Sequence, residues 1–153
     1  MKLFLSVLLC STLFGCATGH LTENTFTKLP ADNQHAQIYI YRPAIPTNSM
    51  NPDVPVFFVN DTKVGPLQMS GYYSYVSAPG PTEVSMTYNG LFGTSFLQIK
   101  KNITFTTEAG KIYFVRLDGA DFMDTSYILR LIPNQIGLLE IQNMQQMQST
   151  LFK

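Results

Sequence analysis

The chain has few of the residues that usually carry catalysis or covalent cross-links. Of its 153 residues, two are cysteine and two are histidine, and tryptophan is absent. Both cysteines, Cys10 and Cys16, lie in the first sixteen residues, and His20 and His35 follow in a polar stretch. From residue 17 onwards the chain therefore offers no disulfide and no cysteine nucleophile. Its fold has to be stabilised by a hydrophobic core.

Charge is also scarce, and neither sign dominates. Ten Lys and Arg balance ten Asp and Glu, and charged residues make up 13% of the chain, about half of the ~25% that is usual in soluble domains. Proteins that bind nucleic acid need a basic surplus that contacts phosphates, so we expect no nucleic-acid partner. The abundance of Tyr, Phe, Thr and Ile favours β-strands.

The most extended apolar stretch is short and lies at the amino terminus. After Lys2, residues 3–14 read LFLSVLLCSTLF. A helix of that length covers about 18 Å, well short of the ~30 Å hydrocarbon core of a bilayer. One positive residue, a short apolar run and a small residue at its end are typical of a secretory signal peptide. We therefore predict a signal peptide over residues 1–15, cleaved between Gly15 and Cys16.

Residues 13–16 at the end of this segment read LFGC. A leucine three places before a cysteine, with a small residue directly before it, resembles a bacterial lipobox. The resemblance implies that a diacylglycerol is attached to the Cys16 thiol, that cleavage follows Gly15, and that the new amino group is acylated. These lipids would be the only prosthetic groups. The alternative interpretation is an ordinary secreted protein or a short uncleaved anchor.

The residues after Cys16 predict where the folded part would sit. In the sorting rule of enteric lipoproteins, Asp directly after the acylated cysteine favours retention in the inner membrane, and this chain has Ala17 there. The analogy implies the outer membrane, facing the periplasm, if the host is Gram-negative. Residues 16–35 are polar and show no sustained period, so we predict a flexible tether between the lipidated terminus and the domain.

Short segments of alternating apolar and polar residues fill residues 36–133, with turn residues every 8–12 positions. AQIYIYRP, from residue 36, and KIYFVRLD, from residue 111, are examples. Asn89-Gly90 suits a two-residue hairpin turn, with a returning strand from Leu91 to Ile99. The pattern predicts an all-β fold, an antiparallel, immunoglobulin-like β-sandwich of about seven to eight strands.

The segment 134–153 changes period. Its apolar residues recur every three to four positions, at Ile136, Leu139, Ile141, Met144, Met147 and Leu151. This spacing predicts a short amphipathic helix from about residue 135 to residue 149. Alternatively, GLLEIQ, from residue 137, extends the preceding strand.

Three stretches of the middle of the chain occur in a distinctive order. They are IYIYRP at 38–43, VSAPGPTEVSM at 76–86 and TTEAGKIYFVRL at 106–117. In this order they resemble DUF2846, a family of small bacterial lipoproteins with a domain of unknown function. The resemblance implies an all-β, sandwich-like domain in the cell envelope, and it brings no catalytic residues.

Two clusters of side chains are candidates for binding. Tyr72, Tyr73 and Tyr75 in GYYSY pair apolar rings with polar tips, which suits a ligand or partner surface, although ordinary strand tyrosines would give the same pattern. The carboxylates of Asp118, Asp121 and Asp124 could gather around Ca²⁺. Their spacing differs from the EF-hand pattern, so a polar loop between strands is the alternative, and we expect no metal.

The sequence supports two hypotheses for function. The first is a structural or protein-interaction module that binds another envelope protein while its lipid holds it to the membrane. The second is a domain that binds a small ligand or a glycan such as peptidoglycan through Tyr72, Tyr73 or their neighbours. We expect no enzymatic activity, because a Ser nucleophile would lack its usual histidine base in the predicted domain.

Overall fold

The computed structural model describes residues 26–29, 32–49, 53–89, 98–119 and 126–149. These residues form two sheets and two short helices. The elements are β1 (Ala36–Arg42), α1 (Pro46–Ser49), β2 (Val56–Val59), β3 (Thr62–Pro66), β4 (Gly71–Ser77), β5 (Gly80–Asn89), β6 (Gln98–Thr107), β7 (Ile112–Gly119), β8 (Tyr127–Ile132), α2 (Asn134–Ile141) and β9 (Gln145–Gln146). The prediction of an all-β, sandwich-like fold with a short C-terminal helix is confirmed.

The strands divide into a five-stranded and a four-stranded sheet. The first has the order β8-β7-β1-β4-β9 and the second β3-β2-β5-β6. The five-stranded sheet is mixed, because β1 runs parallel to β7 and β4 runs parallel to β9. The sequence analysis expected antiparallel pairing throughout, as in immunoglobulin domains. Parallel neighbours need a long crossover, and β2 to β6 supply it between β1 and β7.

The main core lies between the two sheets. One side chain in two along each strand points into it. The five-stranded sheet contributes Ile38, Ile40, Tyr73, Val115, Leu117 and Tyr127, and the four-stranded sheet contributes Phe57, Val59, Val64, Val84, Met86 and Tyr88. With no disulfide described in the fold, this core is the principal source of its stability.

The two sheets differ in what covers their outer faces. On the five-stranded sheet, a second cluster of Tyr39, Tyr41, Tyr72, Phe114, Ile141 and Met144, with Phe26 and Leu138 packed against it, forms what we call the outer aromatic layer. Every residue of β1 is therefore buried. On the four-stranded sheet, Lys100, Asn102, Thr104 and Thr106 are exposed along β6. We call this outer surface the open face.

The hairpin of β5 and β6 is confirmed, but its predicted turn is wrong. Tyr88 pairs with Ile99, and Asn89 pairs with Gln98, whereas a two-residue turn at Asn89-Gly90 would place Tyr88 opposite Leu91. Gly90 itself lies outside the described residues. In the observed register Val84 pairs with Ile103, and both side chains lie on the core face.

The C-terminal helix is shorter than predicted. It ends at Ile141, and Gln145 and Gln146 pair with β4 as β9. The amides of Gln145 and Met147 donate to the carbonyls of Ser70 and Tyr72 at 2.8 Å each. Gln145 and Gln146, which a longer helix would have included, therefore pair with the edge of β4. GLLEIQ is helical up to Ile141, so the strand alternative is also wrong.

The folded part begins earlier than the predicted tether allowed. The ring of Phe26 lies 5.2 Å from that of Tyr39 and 5.6 Å from that of Tyr72, both edge-on. The amide of Leu29 donates to the Tyr39 hydroxyl at 3.1 Å. The aromatic layer offered an apolar site that the polar composition of residues 16–35 did not reveal. Only residues 17–25 separate Phe26 from Cys16.

We predict that Gly137→Ala destabilises the fold. A Cβ at Gly137 would lie 2.3 Å from Cγ of Phe114, and overpacking of this kind costs about 1–3 kcal/mol. In an open helix position the same change would instead stabilise the protein, by up to about 1 kcal/mol. Urea unfolding of the two proteins decides the sign, with the exposed Leu139→Ala as the matched control. A gain in the free energy of unfolding for Gly137→Ala would contradict the packing of α2.

Candidate functional site

The three tyrosines predicted as a binding surface are largely covered. Tyr72 is 2% exposed and Tyr73 is 1% exposed. Alternation along β4 sends Tyr72 into the outer aromatic layer and Tyr73 into the main core, where its hydroxyl donates to the Pro66 carbonyl at 2.9 Å. Tyr75 is partly buried against the same core. These tyrosines therefore pack on the two faces of the sheet at β4, and the prediction that Tyr72 and Tyr73 form a binding surface is wrong.

Asp118 is the one predicted carboxylate that the structure describes, and arginines hold it. Its oxygens lie 2.8 Å from Nε of Arg116 and 3.1 Å from Nε of Arg130. Asp121 and Asp124, and likewise Gly15 and Cys16, lie outside the described residues. Within the part of the chain that the structure describes, no three His, Cys, Asp or Glu side chains are grouped as a metal site would require. A cation at Asp118 would have to displace both guanidinium groups.

Arg116, which contacts Asp118, also joins the five-stranded sheet to α2. Arg116 lies 2.7 Å from the carboxylate of Glu140, which also accepts a hydrogen bond of 2.6 Å from the Tyr41 hydroxyl. Burial, and secondly the bond to Glu140, raises the pKa of Tyr41 above its ordinary value. Tyr41 is therefore a fixed donor at physiological pH. This cluster fastens α2 over the aromatic layer.

A buried guanidinium that the sequence analysis did not single out lies at one end of the sandwich. Arg42 is 2% exposed. It donates to the carbonyls of Asp53 at 2.8 Å and Asn48 at 3.1 Å, and to the Tyr127 hydroxyl at 2.8 Å. Burial lowers the pKa of Arg42 from its ordinary value. The sequence signal was a charged residue that closes an otherwise apolar strand in IYIYRP.

This arginine organises the segment between β1 and β2. The side-chain amide of Asn48 on α1 donates to the carbonyls of Pro43 at 2.8 Å and Leu117 at 3.0 Å. The Tyr127 hydroxyl in turn donates to the Asp53 carbonyl at 3.0 Å. The backbone carbonyls of Pro43, Asn48, Asp53 and Leu117 therefore accept hydrogen bonds at this site, and the Tyr127 hydroxyl accepts one from Arg42. The arrangement is that of a structural clamp, since the bonds of Arg42 join β1 to α1, to the chain before β2 and to β8.

The open face carries the accessible polar groups. Glu83 accepts a hydrogen bond of 3.1 Å from Asn102 and lies 3.5 Å from Nζ of Lys100. The bond from Asn102, helped by Lys100, lowers the pKa of Glu83, so the carboxylate is charged at neutral pH. At the end of this face an open groove is lined by Asn60, Pro81, Thr82, Glu83, Thr104, Phe105 and Thr106. Five of its seven lining residues carry a hydroxyl, amide or carboxylate group, and Pro81 and Phe105 are apolar.

The comparison with known families identifies the domain. The model of the family described as "Protein of unknown function (DUF2846)" matches residues 32–126. The chain belongs to the DUF2846 family. The match runs from the turn before β1 to the residue before β8, so it includes β1 to β7 but not β8, α2 or β9. Neither a curated protein nor a solved structure is significantly similar to this DUF2846 chain.

The described helices of this DUF2846 protein are short. Helix α2 has eight residues and α1 has four, and no helix among the described residues is long and apolar enough to cross a membrane.

We predict that Arg42→Met costs about 2–4 kcal/mol of unfolding free energy, because several buried acceptors lose their donor at once. Arg130→Met is the matched control. It removes an arginine whose side chain is 54% exposed, for which a loss below about 1 kcal/mol is expected. Urea unfolding of both variants measures the difference. Equal losses would show that the buried guanidinium is not a clamp.

Proposed function

We propose that the protein is a lipid-anchored component of the bacterial cell envelope that binds another envelope protein and has no enzymatic activity. The observation that carries the proposal is the short interval between the lipobox cysteine and the fold. Cys16 precedes Phe26 by ten residues, which span at most about 35 Å when fully extended. The acylated amino terminus would hold the domain close to the membrane, in the outer membrane facing the periplasm by the Ala17 analogy.

The open face supports a role in interaction. A half-covered sandwich presents one sheet surface to solvent, and on this surface a charged Glu83 is held in place by Asn102 and Lys100. Fixed polar groups of both signs favour recognition of a complementary protein surface. The covered face of the other sheet is occupied by α2 and the segment at Phe26, so it offers less area to a partner.

The histidine of the described fold supports a non-enzymatic role. His35 lies in an exposed turn and contacts Asp32. Nucleophilic catalysis by serine needs a histidine or an equivalent base within hydrogen-bond reach, and no such pair with His35 occurs among the described residues. The buried arginine is engaged in structural bonds.

The groove favours a second candidate function, the binding of a glycan such as peptidoglycan. Thr104 and Thr106, both exposed, line it together with Asn60 and Glu83, and such groups form hydrogen bonds with sugar hydroxyls. The candidate replaces the tyrosine surface expected from the sequence, because Tyr72 and Tyr73 are buried. The interaction module remains our first proposal, since the groove is open to solvent and would leave much of a bound sugar uncovered.

One photo-crosslinking experiment in living cells distinguishes a protein partner from a glycan at the open face. A photoreactive phenylalanine derivative replaces Thr104 on the open face, and Glu108, in an exposed turn, carries it in the matched control. We expect one defined envelope protein to be linked at Thr104 and not at Glu108, and Lys100→Glu to weaken the adduct by reversing one charge. An adduct that a muramidase dissolves would favour the glycan, and no difference between the two positions would contradict a site on the open face.

The Cys16→Ala variant, with the same photoreactive residue at position 104, tests the lipid anchor. Without the thiol the chain cannot receive a diacylglycerol, and two or more acyl chains are what make membrane anchoring stable. We expect the variant to leave the membrane fraction and the wild type to remain there with lipids on its terminal cysteine, as measured by mass spectrometry. A variant that still fractionates with membranes would contradict the anchor.

A further inference from the structure

Helix α2 carries two large apolar side chains on the side turned away from the sheet. Leu139 is 68% exposed and Ile136 is 46% exposed, and residues three apart lie on one face of a helix. The opposite side is closely packed, with Gly137 against the ring of Phe114 and Ile141 fully buried. Only some of the apolar residues in this stretch therefore pack into the core, and Ile136 and Leu139 do not.

The outward side of α2 is free of charge. The other exposed residues of the helix and of the two positions after it are Asn134, Gln135, Gln142 and Asn143. The one charged residue of the helix, Glu140, is engaged by Arg116 and the Tyr41 hydroxyl. This side could therefore approach an apolar phase without the cost of removing a free charge from water.

The outward side of α2 belongs to the same outer face of the sandwich as the start of the fold. Gly137 packs on Phe114, the Phe114 ring stacks on Tyr39 at 5.3 Å, and Tyr39 contacts Phe26 at 5.2 Å. The ten residues back to Cys16 would span about 17 Å on average as a flexible chain. Phe26, where the described chain begins, therefore lies on the outer face that α2 also covers and not on the open face.

We propose that the Ile136–Leu139 face of α2 lies against the lipid surface in which Cys16 is anchored. This inference rests on the anchor proposed above. Two side chains are too few to bind a bilayer alone, since even one myristoyl chain binds only marginally. A short tether supplies a high effective concentration that makes such a weak contact persistent. The open face then points away from the membrane, towards partners.

The absence of tryptophan from the chain gives a clean test. Leu139→Trp and Thr104→Trp each introduce the sole indole, one on the α2 face and one on the open face. Each lipidated protein is reconstituted into phosphatidylethanolamine–phosphatidylglycerol vesicles with and without brominated acyl chains. We expect bromine to reduce the Leu139→Trp emission about twofold or more, as for a side chain buried 5–10 Å into the interface, and to leave Thr104→Trp unchanged.

A second arm separates this inference from the anchor itself. Cys16 is the only cysteine from residue 16 onwards, so the chain from Cys16 can be coupled to a maleimide lipid in the same vesicles. Quenching at Leu139→Trp in this arm supports the face even if the native protein carries no lipid. Equal quenching at both positions, or none at Leu139→Trp, overturns it. Blue-shifted emission from Leu139→Trp before vesicles are added also overturns it, because protein then covers the face.

Discussion

The burial of the Tyr39 ring is the contact on which the rest of the structure depends. Tyr39 stacks on Phe114 on one side and receives the edge of Phe26 on another, and its hydroxyl accepts from the Leu29 amide. A central strand that is apolar on both faces needs a cover on each. One face of β1 is covered by the four-stranded sheet, and the other draws in α2 and the start of the folded chain.

That requirement makes the molecule asymmetric. The helix and the segment at Phe26 occupy one outer face, and the other outer face stays open and polar. Two arginines hold the arrangement at different places. The Arg116–Glu140 pair fixes α2, and Arg42 fixes the chain between β1 and β2 through backbone carbonyls. In our proposal the two outer faces serve two environments, a lipid surface and an envelope partner.

The positions of strands such as β1 and β7 were predicted well from the sequence. The contacts that these strands make with distant parts of the chain were predicted poorly. Alternation in AQIYIYR and KIYFVRLD located β1 and β7, because the alternating direction of side chains along a strand is a local property. Their parallel pairing, the site of Phe26 on the aromatic layer and the return of Gln145 to β4 depend on contacts between distant residues, which no local pattern contains. The same reason explains why Tyr72 and Tyr73 resembled a surface, and why Arg42 was not recognised as a buried clamp.

Hydrogen exchange at the Leu29 amide tests the central claim most directly, since this amide is the donor to Tyr39 at the point where the chain enters the fold. Exchange is measured by NMR on the intact protein. The account predicts that Leu29 is protected well beyond an unstructured peptide and that Tyr39→Phe, which removes the acceptor, abolishes the protection. Exchange of Leu29 at the rate of an unstructured chain would contradict the account, because the tether would then extend past Phe26 and the anchor would no longer select a face.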